Sequence, residues 1–213
     1  MELPQLKRKP STKQGRCIAL FGVPFTGKTT ILQSIMESSS RVVAVVSTGD
    51  ISRSLLTDED RSAMANGCLF PREKELREEV LKKVNLFRSR GAEVIFLDGC
   101  PRFDEQVQWL WEEHLVGGNN GKIIKLDAIN KCLLNRHKYG GRKRSDDDIA
   151  SFEDKVKVQR SKFEGIDNMI NALGLQRDYY TIINDDGEDN LIMAAASIIK
   201  IADLEEGFTK GEL

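Results

Sequence analysis

Two glycines, a lysine and a threonine stand at fixed spacing in Gly22-Val23-Pro24-Phe25-Thr26-Gly27-Lys28-Thr29, which fits GxxxxGK[ST]. Backbone amides in such a loop converge on polyphosphate oxygens, a helix start behind it adds partial positive charge, and Lys28 adds a full one. The Thr29 hydroxyl is of the type that ligates Mg²⁺. This chemistry needs a strand before the loop and a helix after it. Arg16 to Phe21 reads as that strand, and Thr30, Ile31, Leu32 and Ile35 open the helix. Gly22, Pro24, Phe25, Thr26, Gly27, Lys28, Thr29 and Thr30 are the residues expected around the bound phosphates.

Other residues suit a second phosphate. A monophosphate carries close to two negative charges, and the planar guanidinium fork holds phosphate oxygens in one orientation, which makes Arg53 and Arg102 candidates for a clamp. Asp98 closes a β-branched and apolar run at the edge where a parallel sheet meets its ligand crevice, so it can hold Mg²⁺ directly or through water. The amide of Gln106 offers a donor and an acceptor to an adenine edge. From Arg136 to Arg144 there are five lysines or arginines and two glycines in nine residues, just before Asp146-Asp147-Asp148. That segment reads as a mobile basic loop.

The elements that must position these groups are legible. Five runs, Arg16 to Phe21, Val42 to Val46, Glu93 to Leu97, Lys122 to Leu126 and Tyr179 to Ile183, alternate with helical stretches, as in a parallel sheet covered on both faces. Pro71 suits a first helical turn; Leu76, Val80, Val84 and Phe87 follow at helical spacing, and Gly91 marks the stop. Phe103, Val107, Leu110 and Trp111 repeat the pattern as an expected core stripe, and Ile149 to Leu173 reads as one longer helix ended by Gly174.

Composition narrows the field. With 213 residues, the chain suits one domain with a small inserted lobe. Lysine plus arginine (32) nearly balances aspartate plus glutamate (33), which speaks against a chain-wide attraction to nucleic acid or an anionic membrane. Apolar runs are too short to span a bilayer. Cys17, Cys68, Cys100 and Cys132 form no CxxC pair and His114 and His137 stand apart, so buried structural thiols are expected rather than a zinc site or disulfides. The opening MELPQLKRKPSTKQG lacks the pattern of a secretory leader, and a cytoplasmic location is expected. Residues 1–13 and 203–213 read as loose ends around a domain at 14–202.

Three segments resemble the adenylate kinase family of nucleoside monophosphate kinases. Ser47-Thr48-Gly49-Asp50-Ile51-Ser52-Arg53 is similar to its STGDxxR segment, Asn66-Gly67-Cys68-Leu69-Phe70-Pro71 to its GxLVP element, and Asp98-Gly99-Cys100-Pro101-Arg102 to DGxPR, with Gln106 at the spacing of the adenine-reading glutamine. The resemblance implies a three-layer P-loop NTPase α/β fold with a five-stranded parallel sheet, a helical acceptor-binding insertion at about residues 47–90 and a short lid at about 136–148. It implies transfer of the terminal phosphoryl of MgATP to AMP or dAMP by a monomer, with no nucleic-acid or membrane partner. Lys28, Arg102, Arg136, Arg144 and Arg142 would be catalytic. Arg136 and Gly187 would join the ATP site, and Thr48, Gly49, Arg53, Leu69, Phe70, Gly99, Arg102 and Gln106 would bind the monophosphate. Thr29 and Asp98 would hold the metal. Two positions depart from the family: Phe25, where its loop usually has glycine, and Lys155, where a second arginine is usual. Alternatives are a kinase of another monophosphate such as CMP or UMP, a P-loop hydrolase, and a nucleotide-binding protein without kinase activity.

Overall fold

The computed structural model describes residues 15–60, 72–139, 149–185 and 187–204. Five strands, β1 (Arg16–Phe21), β2 (Val43–Ser47), β3 (Val94–Asp98), β4 (Gly121–Asp127) and β5 (Tyr179–Ile183), form one parallel sheet in the order β2-β3-β1-β4-β5. Between their ends β1 and β3 are apolar and buried, because helices cover both faces of the sheet there. Successive side chains alternate between the faces. Ile18 and Leu20 pack with helix α1 (Lys28–Ser38), whereas Cys17, Ala19 and Phe21 belong to the core on the opposite face.

The remaining helices are α2 (Thr48–Leu55), α3 (Glu73–Ser89), α4 (Asp104–Glu112), α5 (Asn130–Tyr139), α6 (Ile149–Ser161), α7 (Phe163–Ala172) and α8 (Glu188–Ile201). Ile31 and Ile35 of α1 share one core with Ala195 and Ile198 of α8, while Val80 of α3, Val107 of α4 and Ile166 of α7 build the other. The result is the three-layer P-loop α/β arrangement. The register pairs Ser47 and Leu20 with Asp98, so the carboxyl ends of β2, β1 and β3 finish level and open on one crevice.

Two sequence expectations need correction. The single helix from Ile149 to Leu173 is two, because the amide of Lys162 donates to Gln159 O (3.3 Å), a tightened three-residue turn that redirects the chain. The new direction sets the Phe163 ring edge-on to Phe21, with centroids 5.4 Å apart. On α4 the buried stripe is Gln106, Val107, Trp109 and Leu110, and Trp111 is 45% exposed. Trp109 turns inward because its indole N–H finds an acceptor there.

Cys17, Cys100 and Cys132 are buried and unpaired with one another. Burial holds the Cys17 thiol up at about 11 and pushes that of Cys100 higher still. Thiolate is the reactive form, so Cys17 and Cys100 should resist alkylation at pH 8 in the folded protein and react on denaturation. Peptide mass mapping reads this out, and modification of either at native rates matching a free thiol would contradict it.

Candidate functional site

The loop between β1 and α1 forms one wall of an open cleft of about 850 Å³ at the carboxyl edge of the sheet. Gly22, Pro24, Phe25, Gly27, Lys28, Thr29 and Thr30 line that wall. The α1 N-terminus has neither a side-chain cap nor an acidic residue in its first turn, so its amides and dipole face the loop without a competing anion there. Lys28 folds over the loop, with Nζ donating to Gly22 O (2.9 Å), Val23 O (2.9 Å) and the Thr26 hydroxyl (3.1 Å). Thr26 itself is fully buried, its hydroxyl donating to Val23 O, so it braces the loop from inside.

Sequence reasoning missed the residue that supports the loop from below. Asn184, just past β5, is fully buried; its Nδ2 donates to Thr26 O (2.8 Å) while its amide hydrogen-bonds Asp127 O (2.8 Å). A Cβ on Gly27, which has φ +91, would stand 2.7 Å from Asn184 Nδ2. Glycine at that position therefore serves both backbone conformation and close packing. A polar residue ending an apolar run was the available signal, but it reads equally well as the start of a turn.

Phe25 takes φ 65, the left-handed region its usual glycine would favour, at a cost of about 1–2 kcal/mol. Its ring lies edge-on to His137 (5.0 Å) and Phe152 (5.6 Å), so α5 and α6 both dock on the phosphate loop. Aromatic pairs contribute about 0.5–1.5 kcal/mol each beyond burial, comparable with that strain. Arg136 reinforces the junction, with Nη1 donating to Phe25 O (3.4 Å) and Nη2 to Asp185 O (2.7 Å), and it reaches the cleft wall.

The facing wall comes from the ends of β2 and β3. Ser47 caps α2 by accepting from the Asp50 amide (3.2 Å), and Arg53 pairs with Asp50. Arg102 Nε donates to Gly99 O (3.1 Å). A Cβ built on Gly49 would lie 3.0 Å from Arg102 Nη2 and 3.4 Å from Arg53 Nη1. Both guanidiniums thus gather over one glycine, in the cleft that also holds Lys28. Thr48 is buried, and its hydroxyl donates to Asp98 O (2.8 Å), tying the start of α2 to the end of β3.

Lys28, Arg53, Arg102 and Arg136 outnumber the cleft's acidic residues, Asp50 and Asp98, so the cavity favours anions. Asp98 and Thr29 share the cleft, and no cluster of three metal-ligating side chains occurs among the described residues. One carboxylate and one hydroxyl suit Mg²⁺, which takes few protein oxygens and fills its octahedron with phosphates and water.

Gln106 sits elsewhere. It is 1% exposed and is not on the cleft wall; its Oε1 accepts from the Arg102 amide (2.8 Å) and Cys100 Sγ (3.5 Å), and its Nε2 donates to Glu73 (3.1 and 3.2 Å). The groups expected to meet a base are engaged by the protein. Gly187 precedes α8 at φ 129 and is also off the cleft wall. Leu69, Phe70, Arg142 and Arg144 lie outside the described residues, as does the side chain of Lys155.

A family model described as AAA domain matches residues 21–153. The chain is 29% identical over 167 residues to an adenylate kinase of Nitratiruptor sp., covering 73% of this chain and 82% of that protein. It is 27% identical over 163 residues to an adenylate kinase of Nautilia profundicola, with 73% and 82% covered. An adenylate kinase of Helicobacter pylori strain HPAG1 is 28% identical over 167 residues, with 74% and 84% covered.

Proposed function

The chain belongs to the AAA domain family of P-loop proteins and is a phosphotransferase of the nucleoside monophosphate kinase kind; we propose that it moves the terminal phosphoryl of MgATP to AMP or dAMP, ATP + AMP = 2 ADP. The observation that carries this reading is one cleft with a phosphate-cradling loop on one wall and the Arg53 and Arg102 guanidiniums together on the other. A hydrolase needs the first wall only. Three relatives named adenylate kinase support the choice of adenine nucleotides.

In this mechanism an acceptor phosphate oxygen attacks the terminal phosphorus of ATP as the bond to the bridging oxygen breaks, and ADP leaves with that electron pair. No covalent enzyme intermediate is needed, so catalysis is positioning and electrostatics. Lys28 exchanges its loop carbonyls for phosphate oxygens and stabilises charge on the moving group. Arg53 and Arg102 orient the acceptor. Arg136, joined to the loop and to the segment after β5, stands where it can meet donor phosphates, and Arg142 and Arg144 are assigned by family resemblance to the charge on the moving group. Mg²⁺ held by Thr29 and Asp98 would neutralise charge on the donor oxygens.

A second reading has CMP or UMP as acceptor, and it stands beside the first because the Gln106 amide, engaged within the protein, gives adenine no special advantage. An acceptor panel of AMP, dAMP, CMP and UMP at equal concentration, with MgATP, separates the two. Preference for AMP or dAMP is expected. Preference for CMP or UMP overturns the base assignment, and inorganic phosphate released faster than nucleoside diphosphate overturns the kinase reading.

A further inference from the structure

Glu73 opens α3, inside the proposed acceptor-binding insertion, and lies off the cleft wall. Its half-buried carboxylate accepts from Trp109 Nε1 (2.9 Å) through Oε1 and from Gln106 Nε2 through both oxygens (3.1 and 3.2 Å). The orientation of the Gln106 amide is fixed by its partners. The Arg102 peptide N–H can only donate, so the group facing it is Oε1; a carboxylate can only accept, so the group facing Glu73 is Nε2. Turning the amide over would set oxygen against carboxylate oxygen and N–H against N–H.

Beyond the peptide, the Arg102 side chain returns to Gly99 O through Nε and extends Nη2 over Gly49. A continuous relay therefore runs from the carboxylate through a buried amide to the backbone of Arg102. We propose that Glu73 is a positioning residue that ties helix α3 to the placement of the Arg102 guanidinium and so sets affinity for the monophosphate. This rests on the kinase reading. Burial raises the Glu73 carboxyl above its ordinary value, against the lowering by its two hydrogen-bond donors and by the Arg102 charge, so the fold keeps this carboxyl at a desolvation cost. Trp109 and Gln106 come from α4 of the central domain, so the relay joins the insertion to the sheet through polar bonds that have defined directions.

Calorimetric titration with the monophosphate that the wild type binds best, and separately with ATP, tests this alongside thermal melting. Glu73→Ala should lose about tenfold in monophosphate affinity while ATP affinity stays within about twofold, as expected for one charge-assisted link acting on one substrate. Glu73→Gln should restore most of the loss, because its single carbonyl oxygen can still accept from both Trp109 and Gln106. Should the alanine variant not fold, Glu73→Asp, which draws the carboxylate back by one methylene, carries the same expectation. A purely structural role would lower melting temperature and weaken ATP and monophosphate equally, or leave both affinities unchanged; either result overturns the inference. Wild-type protein that binds ATP but no monophosphate overturns the kinase reading and the inference with it. Wild type that binds a monophosphate, with Glu73→Ala binding it equally, removes the inference alone.

Discussion

Lys28→Ala is expected to lower turnover with MgATP and AMP by about 10²–10³-fold, the scale of removing one preorganised donor from a developing anion. The ammonium already sits on Gly22 O, Val23 O and the Thr26 hydroxyl, so its stem and head are placed before any nucleotide arrives. The charge is thus held at the loop, where it exchanges these partners for phosphate oxygens. Lys28→Arg should recover little, because the guanidinium is a planar fork and the loop is shaped around a compact point charge. Steady-state rates at saturating substrate check this. A kcat within threefold of wild type for Lys28→Ala would remove Lys28 from the chemical step.

Arg102→Ala should weaken monophosphate binding roughly 10–100-fold, the range for losing a hydrogen bond to a charged group, with ATP affinity nearly unchanged. The asymmetry follows from position: Arg102 belongs to the turn after β3 and gathers with Arg53 over Gly49, on a different segment of the cleft lining from the glycine-lysine loop. Arg53→Ala should have a smaller effect, since the Arg53 side chain is 45% exposed and shares its charge with Asp50. Separate titrations with AMP and ATP read both. Unchanged AMP affinity in Arg102→Ala would show that the clamp is elsewhere.

Much of the fold was legible because β1 and β3 are buried on both faces and read as apolar runs, and the other strands keep short apolar or β-branched stretches between helices. β1 and β5 have the expected bounds, while the ends of β2, β3 and β4 differ by one residue: β2 and β3 finish on Ser47 and Asp98, polar residues that still complete the ladder. The break at Lys162 was not legible. It accompanies the packing of Phe163 on Phe21, a contact across 142 positions that helical spacing does not encode. Trp109 and Trp111 both fit a helix window, and only Glu73, on a different helix, decides which turns inward.

The site divides along the same line. The glycine-lysine loop is a local motif, so which of its residues would face one cleft could be read directly. The convergence of Arg53 and Arg102 was expected from their chemistry and family resemblance, and the cleft holds both. Asn184 and Glu73 escaped because their roles exist only through distant partners, 158 positions away for Asn184 and Thr26, and 33 for Glu73 and Gln106. Gln106 shows the converse: an amide chosen for its free donor and acceptor uses both within the protein.

The most direct test is titration with two adenosines joined through a five-phosphate bridge, a ligand that can occupy both walls of the cleft together. Linking two sites converts the second binding event into an intramolecular one, so it should bind one per chain and far more tightly than ATP or AMP alone. Binding should weaken in both Lys28→Ala and Arg102→Ala. An affinity no better than that of ATP, lost in Lys28→Ala but indifferent to Arg102→Ala, would contradict the two-walled cleft.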